Sequence, residues 1–349
     1  MNGVRSMVLE QPASNASSYW RALQFIEPLL HAGVETTVFA PRSLDRRGTG
    51  LPSVAARALL HARAYVWLGL DLRLRLQNFD AAFVQRGGYP FGPAWAVRSL
   101  ERFRGRVVYD LDDDLFSEAP WRGQSLVGRL HGSAQARYLV KRADSVFVSS
   151  ENLATVVSAM APTAVLPTIP NVRHFPQAVH SARRPTRIAW TGNQGNLVCL
   201  DPLVEVFRSL SADGVASLTT MSGAPWSGPA EHRDWSRDGE PPFLASSDVG
   251  IMPLPDTRYT RAKAGFKLLM YMGVGIPVVA SPVGVNSDFV ERSGAGRLAG
   301  SQSEWEEALR CLAADPGLRA RMGKAGRDFV TRFADVEDHA QRIFEALGG

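Results

Sequence analysis

The sequence predicts an α/β protein made of two doubly wound domains with a helical tail. Three observations carry that prediction. Short apolar runs of strand character alternate with helix-period segments, the pattern of parallel βα units. The alternation breaks at a proline-rich stretch holding Pro167, Pro170, Pro176 and Pro185, and then begins again. With 349 residues, each half is long enough to bury its own core.

Composition narrows the class. A hydrophobic fraction of 45% and a charged fraction of 21% are those of an ordinary globular protein. The net charge of +5 suits a phosphate-bearing ligand or an acidic surface. It is carried by scattered arginines without a basic block, which argues against nucleic acid as a partner. Cys199 and Cys311 are the only cysteines and lack metal-ligand spacing, which fits a reducing compartment. Met1 leads almost at once into a strand, with no signal peptide, and no apolar run reaches the ~18 residues of a membrane span. The expected location is cytoplasmic; the oligomeric state is left open.

Taken in order, Val4 to Leu9 reads as the first strand, followed by a small polar loop containing Ser14 and Asn15. A helix with the apolar stripe Trp20, Leu23, Ile26 and Leu30 runs to Gly33, and Glu35 to Phe39 is the next strand. Pro52 to Gln77 mixes Arg57, Arg63, Arg73 and Arg75 with apolar residues. It reads as a solvated outer helix, or as a basic amphipathic helix making peripheral membrane contact. Strands are expected at Asp80 to Gln85, Arg106 to Leu111, Ser145 to Val148 and Ala164 to Leu166, with helices over Pro93 to Phe103, Val127 to Lys141 and from Glu151. After the proline-rich break, Arg187 to Trp190 is a strand that runs into Thr191-Gly192-Asn193, with a helix from about Asp201 and a strand from Val215 to Thr220. Pro225 to Glu240 is an irregular excursion, and Pro242 to Ser246 a short helix. The tail holds a strand at Gly294 to Leu298 and helices over Ser303 to Ala314, Pro316 to Phe333 and Glu337 to Leu347.

Two stretches carry chemistry. The first is Asp248 to Gly284, DVGIMPLPDTRYTRAKAGFKLLMYMGVGIPVVASPVG, which reads as strand, charged loop, helix from about Gly265, and strand. A helix N-terminus offers unpaired N–H groups and partial positive charge to a phosphate. Lys263 and Lys267, two of only four lysines in the chain, gather at this helix start. The plainer reading is a buried crossover helix with a solvated basic end. The second stretch is Tyr109-Asp110-Leu111-Asp112-Asp113-Asp114-Leu115-Phe116, where carboxylates crowd the end of a buried strand. Metal ligation, general-base work and capture of sugar hydroxyls all use such groups; a helix cap needs only one of them.

These motifs resemble those of the GT-B glycosyltransferases, and among them the retaining, nucleotide-sugar-dependent family 4 group. The resemblance rests on Phe266-Lys267-Leu268, on Gly275-Ile276-Pro277-Val278-Val279-Ala280-Ser281 and on Met322-Gly323-Lys324-Ala325-Gly326-Arg327, and more loosely on the Asp110 to Phe116 stretch. It implies two Rossmann-like domains facing across a cleft. These are an acceptor domain over 1–168, a linker over 169–186, a donor domain over 187–333, and a C-terminal helix over 334–349 packing back toward the first domain. It implies sugar transfer from a nucleoside-diphosphate sugar, UDP or GDP, to a small-molecule or lipid-linked acceptor, without a metal or other cofactor and with retention. Donor-binding residues would be Gly192, Asn193, Arg261, Lys263, Gly265, Phe266, Lys267 and Met270. Acceptor contacts would come from Ser14, Asn15, Tyr19 and Asp110, and the catalytic residues would be Asp112, Asp113 and Lys267. The chain departs from the family at Ala262 and Met270, where the group commonly carries two glutamates, and it lacks the usual Arg and Lys after Gly192.

Three other readings compete. Asp110-Leu111-Asp112 resembles the nucleophile motif of haloacid-dehalogenase-type, Mg-dependent phosphohydrolases, with Asp110 attacking phosphorus and Asp112 beside it. The missing glutamates suit a non-catalytic nucleotide-sugar binder. A GT-A-like enzyme would use the Asp cluster as a metal site.

Overall fold

The computed structural model describes residues 4–9, 16–39, 69–70, 73–86, 97–117 and 133–349. The chain divides into two compact units. The first comprises Met1–Glu118, Gln124–Thr168 and Val336–Gly349, and the second Ala119–Gly123 and Ile169–Asp335.

In the first unit, β1 (Val4–Leu9), β2 (Val34–Phe39), β3 (Ala81–Gln85), β4 (Arg106–Leu111), β5 (Ser145–Val148) and β6 (Thr163–Val165) form a parallel sheet in the order β2-β1-β3-β4-β5-β6. Every residue of β3 is buried, as expected where helices cover both faces of a parallel sheet. Helices α1 (Ala16–Arg21) and α2 (Ile26–His31) link β1 to β2, while α3 (Ser133–Arg142) and α4 (Glu151–Val157) flank β5. Ser150 caps α4 by accepting from Leu153 N–H at 3.3 Å.

The second unit repeats the scheme with β7 (Thr186–Thr191), β8 (Ala216–Ser222), β9 (Glu231–Asp234), β10 (Val249–Met252), β11 (Val278–Ala280) and β12 (Gly296–Leu298), ordered β12-β11-β10-β7-β8-β9 and parallel throughout. Its helices are α5 (Val204–Ala212), α6 (Glu240–Ala245), α7 (Arg258–Arg261), α8 (Phe266–Gly273), α9 (Val285–Ser293), α10 (Gln302–Ala314) and α11 (Pro316–Phe333). One core cluster joins Ile188 and Trp190 of β7, Ile251 of β10 and Val279 of β11 to Phe207, Trp305 and Leu309 on the helices. Burial of each such side chain contributes roughly 1.5–3 kcal/mol.

Several elements differ from the sequence reading. Gln194–Leu203 is a 3-10 segment that leads into α5, where a helix was expected only from about Asp201; Pro202, lacking an N–H, sits inside it. Within the Pro225 to Glu240 excursion lies β9, a polar edge strand, exposed except for the half-buried His232, with no apolar alternation to reveal it. Helix α9 fills the interval after Gly284, anchored by Phe289 against Phe329 and Phe333 of α11. The last helix, α12 (Val336–Leu347), belongs to the first unit, packing against α2 and β4. Phe25 stacks on His339 at 6.2 Å, and Arg342 donates to Val165 O at 2.6 Å. Apart from residues 69–70 and 73–77, the Pro52 to Gln77 segment lies outside the described residues. Among the described residues no helix is long and apolar enough to cross a membrane.

Candidate functional site

Strand order locates the sites before any side chain is considered. In an open parallel sheet, ligands bind beyond the C-terminal strand ends where the order reverses direction. In the second unit that point lies between β7 and β10, and in the first between β1 and β3.

At the second unit's switch point, β7 runs into Thr191-Gly192-Asn193. Asn193 accepts from Gly195 N–H at 2.9 Å and starts the 3-10 segment. From the other side comes α8, whose N-cap Gly265 has φ +66, a left-handed conformation that suits glycine. A Cβ there would also stand 2.7 Å from Val285 Cγ2. Lys267, on the first turn of α8, lies across the Gly192 turn. A Cβ on Gly192 would come within 2.7 Å of Lys267 Cε and 3.2 Å of its Nζ, so only glycine leaves the lysine its place. The ammonium stands 5.6 Å from the centre of the Trp190 ring. Lys263 Nζ sits 4.8 Å over the Tyr259 ring. Burial pushes the Cys199 thiol up, and Lys267 and Lys263 both oppose it, so the two cations act on the segment that follows β7. Gly192, Asn193, Lys263, Gly265, Phe266 and Lys267 thus gather around one turn and one helix start.

Other expected donor residues sit differently. Met270 is 0% exposed and Ala262 2%, so both side chains are packing groups, and a direct donor contact by the Met270 side chain has no open surface to use. Arg261 is exposed and paired with Asp256 through bonds of 2.6 and 2.8 Å.

Sequence reasoning missed Glu240. This residue, at the first position of α6, is 6% exposed. Its oxygens accept from Thr191 Oγ1 at 2.7 Å and from Trp235 Nε1 at 3.0 Å. Burial pushes its carboxyl up; these two bonds, and then the Lys267 charge, oppose the rise. In sequence it looks like one more charge in a polar loop.

In the first unit the carboxylate run separates by depth. Asp110 is fully buried, and both its oxygens are taken by the Nε and a terminal nitrogen of Arg21, which is itself 1% exposed. Arg21 also reaches Leu166 O and, at 3.3 Å, Thr168 Oγ1. Asp110 therefore ties α1 to β4 and to the end of β6, and the expected acceptor contact is corrected: its carboxylate faces a guanidinium inside the core. The same burial removes it as a phosphorus nucleophile. Burial pushes its carboxyl up, and Arg21 pulls the other way.

Asp112 accepts from Ser17 Oγ and lies 3.5 Å from Arg86; Asp113 accepts from the same guanidinium at 2.9 Å. Asp114 accepts from Phe116 and Ser117 N–H at 2.9 and 3.1 Å, which makes it a turn cap. Arg86 follows β3 with φ +57, a left-handed position unusual for a side-chain-bearing residue. The sequence reading missed it as well; its only signal is a basic residue ending the strand beside the acidic one. Tyr19 is partly buried, packed edge-on against Trp20 with ring centres 4.8 Å apart. Ser14 and Asn15 lie outside the described residues.

No protein-family model and no curated protein sequence matches the chain. Solved structures do. Sucrose-phosphate synthase from Thermosynechococcus elongatus is similar at TM-score 0.70 and 14% identity, over 98% of each chain. HepE from Anabaena, in complex with UDP and glucose, is similar at TM-score 0.67 and 14% identity, over 99% of each. An alpha-glucosyltransferase in complex with UDP and a 13-mer DNA containing an HMU base reaches TM-score 0.68 at 13% identity, over 99% of this chain and 100% of that one. With two six-stranded parallel sheets and full-length likeness, the chain has the GT-B fold.

Proposed function

We propose that the protein is a glycosyltransferase that moves a sugar from a nucleoside-diphosphate sugar, UDP or GDP, to an acceptor nucleophile. The observation that carries this reading is Lys267 lying across the Gly192 turn at the start of α8, in the second unit of a GT-B fold. UDP comes first among donors because similar structures were solved with UDP and with glucose or UDP-glucose.

In the proposed reaction the bond between the anomeric carbon and the diphosphate breaks while the acceptor oxygen bonds to that carbon. Negative charge develops on the departing phosphate, and fixed cations around it are worth several kcal/mol in a site that excludes water. Lys267, Lys263 and the dipole of α8 supply that charge, so the proposal needs no metal. With retention, the departing phosphate itself takes the acceptor proton. Asp112 and Asp113 are assigned to orienting the acceptor, a small molecule or a lipid-linked glycan. The metal-site version on a GT-A fold loses its basis with the fold.

The test is a thermal-shift and calorimetric screen against UDP, GDP, TDP and ADP and their sugars, followed by turnover assays. A ligand that binds the native state raises its melting midpoint by mass action, and UDP or GDP is expected to do so. No response to any nucleotide overturns the proposal. A second reading, a non-catalytic nucleotide-sugar binder, is favoured by the buried apolar side chains of Ala262 and Met270. It predicts donor binding with neither transfer nor slow donor hydrolysis.

A further inference from the structure

Glu240 has no part in the reaction as written, yet three elements converge on it. Thr191, which donates to its Oε1, is the last residue of β7 and directly precedes Gly192. The Thr191 N–H donates to Tyr271 OH at 3.2 Å, and that hydroxyl donates to Ile251 O of β10 at 3.1 Å. Tyr271 sits one helical turn after Lys267 on the same side of α8. Trp235, just after the edge strand β9, supplies the donor to Oε2. The Glu240 carboxylate thus holds the strand end that Lys267 crosses, and through Thr191 and Tyr271 it is linked to the helix that carries Lys267. Lys267 is also the cation whose charge acts on it. A buried carboxyl group is costly unless its oxygens are hydrogen-bonded, and both oxygens of this one are.

We propose that Glu240 is a positioning residue of the anion site: its carboxyl group fixes the Thr191–Gly192 turn across which the Lys267 side chain is laid. This role rests on the reading of the turn as the seat of a diphosphate.

The test is a double-mutant cycle on the full chain, read by titration calorimetry with UDP on the wild type, Glu240→Gln, Lys267→Met and the double variant. Inorganic pyrophosphate is titrated into the wild type and Glu240→Gln. Glu240→Gln is expected to weaken both ligands about 5- to 10-fold, and in the Lys267→Met background its effect on UDP is expected to fall below about 2-fold. A purely structural role produces the same factor in both backgrounds, and that additive result overturns the proposal. Trp235→Phe keeps a ring and removes the donor. It is expected to weaken UDP about 2- to 3-fold with the same dependence on Lys267, and it decides the question should Glu240→Gln not fold. UDP binding with an additive cycle removes the role of Glu240 and leaves the proposed function standing. Pyrophosphate binding weakened by Glu240→Gln, with no response to any nucleotide, does the reverse. A wild type that binds neither ligand overturns both.

Discussion

The ends of the two sheets carry charge differently. In the first unit acids and bases are matched internally: Arg21 with Asp110, and Arg86 with Asp112 and Asp113. In the second, Lys263 and Lys267 gather at a turn whose one deeply buried carboxylate is Glu240. Depth explains the first case. Side-chain exposure rises from 0% at Asp110 to 12% at Asp112 and 22% at Asp113, so a run that looks uniform in sequence divides into a core strut and a surface pair. Like charges close in sequence are thus no guide to a shared task; the depth and partners of each decide, and Asp114, next in the run, is buried again as a turn cap.

The sharpest way to break this contrast is Asp110→Asn. It leaves Arg21 buried without its counter-charge, a change that costs about 3–5 kcal/mol. The melting midpoint of the first unit is expected to fall by roughly 10 °C in calorimetry, with UDP affinity below the transition unchanged. A midpoint within a degree of the wild type would place Asp110 among the functional carboxylates after all. Next in size is Lys267→Met, expected to lower kcat/KM for donor turnover about 100-fold, or about 2.7 kcal/mol, at an unchanged midpoint. Near-normal turnover would put the phosphate elsewhere. Asp112→Asn sharpens the contrast from the acceptor side. It should reduce transfer about 10-fold while UDP affinity measured by calorimetry stays within a factor of two, since its proposed task is to orient the acceptor.

The smallest effect concerns pH. Burial raises the folded-state Glu240 carboxyl above its unfolded value. A raised group contributes stability that is present below the unfolded carboxylate range and is lost as pH rises through the folded value. Glu240→Gln lacks that contribution, so the wild type's midpoint is expected to decline relative to the variant's as pH rises out of the acidic range. A gap constant with pH would show that burial does not shift this carboxyl.

Much of the fold was legible because parallel sheets announce themselves. Val4–Leu9 and Arg106–Leu111 have the expected bounds, and Val249–Met252 stops before Pro253 as an apolar run must. What escaped was set by tertiary context. β9 is a mostly exposed edge strand of Glu231, His232, Arg233 and Asp234 that owes its extended form to pairing with β8. Within the candidate site, Lys267 stands out in the sequence because lysine is rare in this chain and this one stands at a helix start. Arg86 and Glu240 were not, since neither burial nor ion pairing is written in the residues beside them. Asp110 was readable as unusual, but its partner Arg21 lies 89 positions away.

The passage of α12 into the first unit has a consequence for how the protein is made. Residues 169–335, which belong to the second unit, separate Thr168 from the helix that completes the first. At ~5–20 residues per second, a ribosome needs on the order of ten seconds or more to traverse them. Through that interval the nascent first unit lacks the side chains of Val336, Ala340, Ile343 and Leu347 that close its core. The second unit, continuous apart from Ala119–Gly123, has nearly all of its sequence before α12 emerges. The half that begins first is finished last, and a nascent chain stalled near Asp335 presents an open hydrophobic face to chaperones.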